Sequence, residues 1–273
     1  MDLKITDQRF LVCGASSGFG RAVAEQLLDE GASVIAVARR EKKLRELEEA
    51  FGDAVSIVAG DLTDEQTHNE IETAIGNNLL HGAVINSGGP PALTPLETAI
   101  FDWDKAYKTV MRWKIELVLR LISYFTAREY GRILFIESKS DEGDRIPALV
   151  LSNSYRAAIV GFAKSLSQEI ADKGVTVNVL APGSHDTPAI ERVIKKRSDE
   201  SGDSLEEVRE QMEKSAILWD ALAIPEEFAS LAAWILSPHA SYVTGQTISH
   251  DRGVYQRNFR LNTGGGKQTV SIF

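Results

Sequence analysis

The chain has 273 residues, of which 43% are hydrophobic and 25% are charged, and its formal net charge at pH 7 is −9. These values are typical of a soluble globular protein, and no apolar run reaches the length of about 20 residues needed to span a bilayer. The acidic balance argues against a broad nucleic-acid or anionic-membrane surface, because both require clustered Lys and Arg. We therefore expect neither of these partners.

The N-terminal segment and the single cysteine bear on the cellular compartment. The segment MDLKITDQRF lacks the charged start, apolar middle and small-residue cleavage site of a secretory signal. The lone Cys13 cannot form an internal disulfide. We expect a cytoplasmic protein.

Short apolar runs rich in β-branched residues alternate with helical patterns along the chain. The runs lie near Phe10, Val34, Val55, Val84, Ile133 and Val177, and a last short strand is expected at Gln246-Thr-Ile-Ser. Runs that are apolar at every position suit parallel strands covered by helices on both faces. The order predicts an α/β fold with a doubly wound, Rossmann-type parallel sheet of about seven strands.

Apolar residues spaced by three and four predict helices between these strands. The helices are expected over 18–30, 41–51, 64–75, 102–128, 152–172 and 225–236. The charged region 187–224 has a helical pattern without a strand, which we interpret as a substrate lid; a solvated helical hairpin is the alternative. We expect a single domain over 1–258 and a C-terminal tail over 259–273.

The strongest motif is a glycine-rich segment between the first predicted strand and the first predicted helix. Gly14, Gly18 and Gly20 stand in the segment CGASSGFG. Glycines allow a tight turn and a close approach of a pyrophosphate, whose charge is met by free amides and the positive end of the helix. A turn for strand–helix packing is the alternative, but the strand before, the helix after and the second strand all favour dinucleotide binding.

The second predicted strand ends at Ala38, Arg39 and Arg40, with no acidic residue to hold a free adenosine ribose. Two guanidinium groups suit a 2′-phosphate, so the sequence favours NADP over NAD as cofactor. The alternative for Arg40 is that it simply begins the exposed helix that follows.

The glycine spacing resembles the cofactor loop of the short-chain dehydrogenase/reductase family, Thr-Gly-x-x-x-Gly-x-Gly, with Cys13 in place of the threonine. The resemblance continues through GDL at 60–62, INSGG at 85–89, GRILFIES at 131–138, VNVLAPGSHDT at 177–187 and YVTGQ at 242–246. Within the family the chain is similar to β-ketoacyl carrier-protein reductases, especially to divergent members with the NSGGPP form at 86–91. That subgroup often lacks the full catalytic set.

The resemblance implies which residues bind the cofactor. Asp61 and Leu62 would line the adenine, 86–88 would support the adenosine side, and Pro182 and Thr187 would contact the nicotinamide end. Asn86 as a strand cap and Pro182-Gly183 as a turn are the alternatives. The complete predicted cofactor set is Gly14, Ser16, Ser17, Gly18, Phe19, Gly20, Arg39, Arg40, Asp61, Leu62, Asn86, Ser87, Gly88, Arg156, Pro182, Gly183 and Thr187.

The resemblance also implies a reaction in which a hydride moves between nicotinamide C4 and a carbonyl or alcohol carbon, while a tyrosine assisted by a lysine exchanges the proton. Ser138 matches the serine of the family. The run RAAIVGFAKSLSQEI sets Arg156 at the lysine position and Ser152 at the tyrosine position, four residues earlier and on the same helix face. Val110 stands at the asparagine position, so three of the four catalytic positions are altered.

These replacements change the chemistry. A serine hydroxyl is a far weaker acid than a phenol of pKa about 10, and an arginine does not deprotonate in proteins. His185 is a candidate for proton exchange, with a surface or packing role as the alternative. Tyr155 is a further candidate, although packing against a neighbouring helix or subunit is the simpler interpretation.

The predicted catalytic set is therefore Ser138, Ser152, Arg156 and His185, and no metal site is predicted. Glu137, Lys139 and Asp144 are interpreted as exposed loop charges.

Three functions stay open at this point. The first is an NADP-dependent reductase of a small-molecule or acyl-thioester carbonyl with an altered proton relay. The second is an NADP(H)-binding regulatory or structural protein with weak or absent hydride chemistry, and the third is a lyase or isomerase. Family members commonly form homodimers or homotetramers through the long helices, here 102–128 and 152–172, and we expect the same.

Overall fold

A computed structural model of the chain describes residues 1–137, 149–188, 190–214 and 222–251. Its sheet consists of β1 (Arg9–Cys13), β2 (Ser33–Ala38), β3 (Val55–Ala59), β4 (Gly82–Ile85), β5 (Gly131–Ile136), β6 (Val175–Pro182) and β7 (Thr247–His250). The strands lie in the order β3-β2-β1-β4-β5-β6-β7, and all neighbours are parallel. The predicted doubly wound sheet is confirmed.

The helices pack on both faces of this sheet. They are α1 (Gly18–Asp29), α2 (Glu41–Phe51), α3 (Glu65–Ile75), α4 (Ile100–Ala106), α5 (Trp113–Thr126), α6 (Val150–Glu169), α7 (Ile190–Ser201), α8 (Leu205–Lys214) and α9 (Pro225–Leu236). The bounds predicted for α2 and α9 agree with the structure, and those of α1, α3 and α6 differ slightly at their ends.

The long helix predicted over 102–128 is interrupted in the middle, so that prediction is wrong in detail. A π-helical segment, Tyr107–Arg112, joins α4 to α5. Such a segment adds a residue to a turn and changes the direction of the side chains that follow, and it is often found at functional sites. Apolar spacing does not reveal it, because Val110 within the segment and Trp113 after it are both buried, as in a regular helix.

The two faces of the sheet explain the apolar runs. On β1, Phe10 and Val12 pack against α1, α2 and α9, whereas Leu11 and Cys13 face α3, α5 and α6. The chain leaves β1 toward β2 on one side and later enters β4 on the other. This reversal of strand order opens a crevice at the carboxyl ends of β1 and β4, where doubly wound sheets bind their ligands.

The predicted lid contains the helices α7 and α8, which share a small core of Ile194, Val208 and Met212. Arg209 on α8 pairs with Asp186, with 3.1 Å between Nη1 and Oδ1, so the hairpin is attached near its base. Residues 215–221 of the lid and the predicted tail at 259–273 lie outside the described residues. No helix in the described part of the chain is both long and apolar enough to cross a bilayer.

Candidate functional site

A cleft of about 810 Å³ lies at the crevice between the carboxyl ends of β1 and β4. Its volume falls within the usual range for ligand sites, about 300–1,000 Å³. Thirteen of the predicted cofactor residues line it: Gly14, Ser16, Ser17, Gly18, Phe19, Arg39, Arg40, Asp61, Leu62, Asn86, Ser87, Gly88 and Thr187. The structure therefore brings most of the predicted cofactor set to one site.

The glycines of the loop after β1 have different roles. A Cβ on Gly20 would lie 2.3 Å from the carbonyl oxygen of Gly14, so Gly20 is required for packing inside the loop. Gly18 has a φ of +55°, and a Cβ there would point across the cleft to within 3.5 Å of Thr187 Cβ. The side chain of Ser17 does not cap α1, so it leaves the first amides of the helix available to a ligand. This cradle fits a pyrophosphate.

The arginines at the end of β2 form the second part of the cleft. Arg40 turns back over the glycine-rich loop, and its Nη2 donates hydrogen bonds to the hydroxyl groups of Ser16, at 2.9 Å, and Ser17. Arg40 thus does more than begin α2. Arg39 has 79% of its side chain exposed, and its Nη1 lies 3.9 Å from Asp61 Oδ2. Guanidinium groups and hydroxyls in this arrangement suit a phosphate group.

Four predicted cofactor residues, Gly20, Arg156, Pro182 and Gly183, do not belong to the lining described above. Gly183 donates its amide hydrogen to the carbonyl oxygen of His250 in β7, at 2.9 Å, and Pro182 pairs with His250 in the sheet. Arg156 lies directly behind the lining, because its Nη2 is 3.4 Å from the carbonyl oxygen of Ser87.

Ser152 and Arg156 meet on one face of α6, as their spacing predicts. Arg156 Nε donates a hydrogen bond to Ser152 Oγ at 3.0 Å, and both side chains are buried. Arg156 Nη1 also donates to the carbonyl oxygen of Ile136, at 3.2 Å. The helix α6 thus fixes the guanidinium at the end of β5 and beside the loop after β4. The predicted catalytic Ser138 lies outside the described residues.

Glu137 is buried, so its interpretation as an exposed loop charge is wrong. Its carboxylate accepts hydrogen bonds from Lys114 Nζ on α5 and from Arg156 Nη1 on α6, the latter at 2.8 Å. The partners are distant along the chain, and therefore no local pattern reveals the pairing. Lys139 and Asp144 lie outside the described residues.

Lys114 is the functional candidate that the sequence analysis missed entirely. Its side chain is fully buried, and this burial lowers the pKa of Lys114 to about 8, although the Glu137 carboxylate acts in the opposite direction. Because Lys114 lies between apolar residues on a predicted helix, the only sequence signal was a lysine that interrupts the buried face of α5.

His185 and Tyr155 both make packing contacts. His185 is buried; its Nδ1 is 3.0 Å from the carbonyl oxygen of Gly183, and its Nε2 is 3.0 Å from Nδ1 of His250. The Tyr155 hydroxyl donates to the carbonyl oxygen of Trp103 at 3.0 Å, and burial raises the pKa of Tyr155. These contacts favour structural roles for both residues, and catalysis by His185 stays an untested prediction.

Within the described ranges, no group of three or more His, Cys, Asp or Glu side chains is placed to hold a metal ion.

Comparisons with known proteins agree with this geometry. The family model described as Enoyl-(Acyl carrier protein) reductase matches residues 14–255. The 3-oxoacyl-[acyl-carrier-protein] reductase of Rickettsia typhi is 30% identical over 252 residues, which are 92% of this chain and 98% of the relative.

Two solved structures are similar as well. A single-residue variant of the actinorhodin polyketide ketoreductase with NADPH has a TM-score of 0.84 and 26% identity, covering 91% of this chain and 97% of its own. YwfH, an NADPH-dependent reductase involved in bacilysin biosynthesis, has a TM-score of 0.83 and 26% identity, covering 92% of this chain and 100% of its own.

Proposed function

The chain belongs to the short-chain dehydrogenase/reductase family, and on that premise we propose that it binds NADP(H) and reduces the carbonyl group of a small molecule or an acyl thioester. The observation that carries the proposal is the position of Arg156 and Ser152 behind a cleft that fits a dinucleotide. Both solved relatives described above are named as NADPH-dependent or NADPH-bound, which supports NADP as the cofactor.

Arg156 is the residue that would hold the reactive end of the cofactor. An arginine has five N–H donors. Within the described residues, Arg156 makes one hydrogen bond through Nε, two through Nη1 and one through Nη2, so one Nη2 hydrogen is left there for a ribose hydroxyl. A guanidinium is suited to binding and orienting a ligand and not to exchanging protons with it.

Ser152 would contact the substrate oxygen. Its Oγ accepts a hydrogen bond from Arg156 Nε, and within the described residues its own hydroxyl hydrogen has no acceptor. Accepting a bond from a cation makes a hydroxyl a stronger donor, so Ser152 suits a carbonyl oxygen that gains negative charge. When bound, NADPH supplies the hydride; with one proton from water, C=O becomes CH–OH.

A second function rests on the same residues. Neither Ser152 nor Arg156 can release a proton as readily as the family's tyrosine. An NADP(H)-binding protein with little or no turnover would keep the cleft and lose only the acid, and it would have a structural or regulatory role.

The test is a calorimetric titration with NADPH and NADH, followed by a hydride-transfer screen of the same sample. The screen covers ketones, aldehydes, 3-oxoacyl thioesters and, because the family model carries that description, enoyl thioesters. We expect tighter NADPH binding than NADH binding and turnover of a carbonyl substrate. Binding without turnover across the screen would favour the second function, and absence of NADPH binding would contradict both.

We also propose that the chain forms a homodimer or homotetramer through the α4–α5 and α6 region. Ile100, Phe101 and Leu119 expose most of their apolar side chains on α4 and α5, where a second copy would cover them. Light scattering should show a mass of two or four chains, and Phe101→Asp should lower it. A monomer at micromolar concentration would contradict this prediction.

A further inference from the structure

Three charged side chains from three elements meet behind the cleft. We call Lys114, Glu137 and Arg156 the buried charge cluster. Lys114 Nζ donates to Glu137 Oε1, and Arg156 Nη1 donates to Glu137 Oε2 at 2.8 Å. One carboxylate therefore bridges an ammonium and a guanidinium, and the cluster carries one net positive charge when Lys114 is protonated.

Burying the three charges of this cluster costs desolvation free energy. Removing charges from water costs several kcal/mol per ion, and apolar residues of similar volume are often equally or more stabilising. Lys114 and Glu137 are fully buried, so solvent does not reduce this cost. Stability alone therefore does not account for three charges at this place, which points to a role in orienting a side chain at the cleft.

The cluster determines where Arg156 points. Glu137 holds Nη1, and this contact turns Nε toward Ser152 and Nη2 toward the carbonyl oxygen of Ser87 at the cleft. A guanidinium is planar, so fixing one edge fixes the other. Lys114 occupies the second oxygen of Glu137 and prevents that carboxylate from rotating.

We propose that Glu137 is a positioning residue that aims Arg156 at the cofactor and at Ser152, and that Lys114 holds Glu137 in place and sets the charge of the site. The consequences for catalysis rest on the proposed function, whereas the orientation of Arg156 does not. Among the described residues, the titratable groups that face Lys114 are Glu137 from the end of β5, Arg156 from α6 and Cys13 from β1.

The pH dependence follows from the charge of the cluster. The pKa of Lys114 is lowered to about 8 by burial, so the cluster changes from one net positive charge to none as the pH rises through that value. NADPH is an anion, and its affinity should therefore fall over the same range. Lys114→Met keeps the length of the side chain without the charge, and this variant should lose the pH dependence.

The experiment compares the wild type with Glu137→Gln, Glu137→Asp and Lys114→Met. The first readout is the Nε–H signal of Arg156 in nitrogen-15 NMR spectra, assigned by its loss in Arg156→Lys, because it needs no cofactor. The second is the dissociation constant of NADPH between pH 6 and pH 9. Glu116→Gln is the matched control, because it removes an exposed carboxylate on α5 that pairs with Arg112 of the π-helical segment.

In the wild type and the control we expect a sharp Arg156 signal that exchanges slowly with water. In Glu137→Gln the signal should broaden or disappear, and NADPH affinity should fall about 10- to 100-fold, since Arg156 is no longer held where its guanidinium donates a charge-assisted hydrogen bond to the cofactor. Glu137→Asp keeps the negative charge on a shorter side chain. Its Arg156 signal and its NADPH affinity should lie between those of Glu137→Gln and the wild type. Lys114→Met should broaden the signal less than Glu137→Gln does, because Glu137 keeps its bond to Arg156 but loses the partner that stops it rotating, and it should abolish the fall in affinity near pH 8.

An unchanged Arg156 signal in folded Glu137→Gln would overturn the positioning role. A fall in affinity near pH 8 that persists in Lys114→Met would overturn the role of Lys114. If the wild type does not bind NADPH at all, the proposed function fails, while the NMR signal still decides whether Glu137 positions Arg156.

Discussion

The glycine-rich end of the cleft and the Arg156 end differ in where their charged groups lie. Arg39 is 79% exposed at the first end, whereas Lys114 and Glu137 are fully buried at the second. Replacing an exposed guanidinium costs little folding free energy. Replacing a buried carboxylate leaves its two cationic partners buried without a counter-charge, which destabilises the fold. Cofactor binding at the glycine-rich end therefore depends on space and backbone shape, and at the Arg156 end it depends on the balance of buried side-chain charges.

The largest effect is expected from Gly18→Val at the glycine-rich end. The φ of +55° strains any other residue, and its Cβ would project into the cleft toward Thr187. NADPH affinity should fall more than about 100-fold, because the side chain would fill the pyrophosphate position. Calorimetry measures the loss.

Gly52→Val is the matched control for this substitution. Gly52 has a similar φ of +58° with nothing within 4 Å of an added Cβ, and it lies away from the cleft after α2. Its replacement should lower stability without changing NADPH affinity. Unchanged affinity in Gly18→Val as well would show that the loop does not hold the pyrophosphate.

The second effect, also at the first end, concerns the choice of cofactor. Arg39→Asp replaces attraction of a 2′-phosphate by repulsion, so NADPH affinity should fall about 10- to 100-fold and NADH affinity much less. Arg45→Asp makes the same change at an exposed position on α2, paired with Glu41, and should leave the ratio unaltered. Equal losses for NADPH and NADH in Arg39→Asp would place Arg39 away from the phosphate.

The same comparison explains what the sequence predicts and what it does not. The sheet was predictable because strands buried on both faces are apolar at every position, as Leu11 and Val12 show. The glycine-rich loop was predictable because its residues are adjacent in sequence. The burial of Glu137 is not predictable from the sequence, because it depends on Lys114 and Arg156, which lie 23 and 19 residues away along the chain.

The third effect is on the pH dependence of the free energy of unfolding, and it tests Lys114 at the Arg156 end of the cleft. The pKa of Lys114 is about 8 in the fold and 10.5 in the unfolded chain, so between these values the unfolded chain binds more protons. The free energy of unfolding of the wild type should therefore rise with pH relative to Lys114→Met, by at most about 1.4 kcal/mol per pH unit. Below about pH 7, one unit under the folded pKa, the difference should be constant.

Urea unfolding between pH 7 and pH 10 measures this difference. Lys43→Met is the control, because Lys43 is an exposed lysine paired with Glu46 on α2. Its curve should run parallel to that of the wild type. Parallel curves for Lys114→Met and the wild type would mean that Lys114 keeps its proton over the whole range.

The smallest effect separates binding from turnover at the Arg156 end. Ser152→Ala removes the hydroxyl proposed to face the carbonyl oxygen, while NADPH would still contact Nη2 of Arg156. We expect kcat for the carbonyl substrate to fall about 3- to 10-fold, because the carbonyl oxygen gains only part of a negative charge in the transition state, with the NADPH dissociation constant unchanged. Ser165→Ala on the same helix is the control, because Ser165 Oγ is exposed and its one hydrogen bond in the described part of the chain goes to the carbonyl oxygen of Gly161. A weaker NADPH affinity with unchanged kcat would instead assign Ser152 to cofactor binding. The glycine-rich end and the Arg156 end of the cleft would then both serve to bind the cofactor.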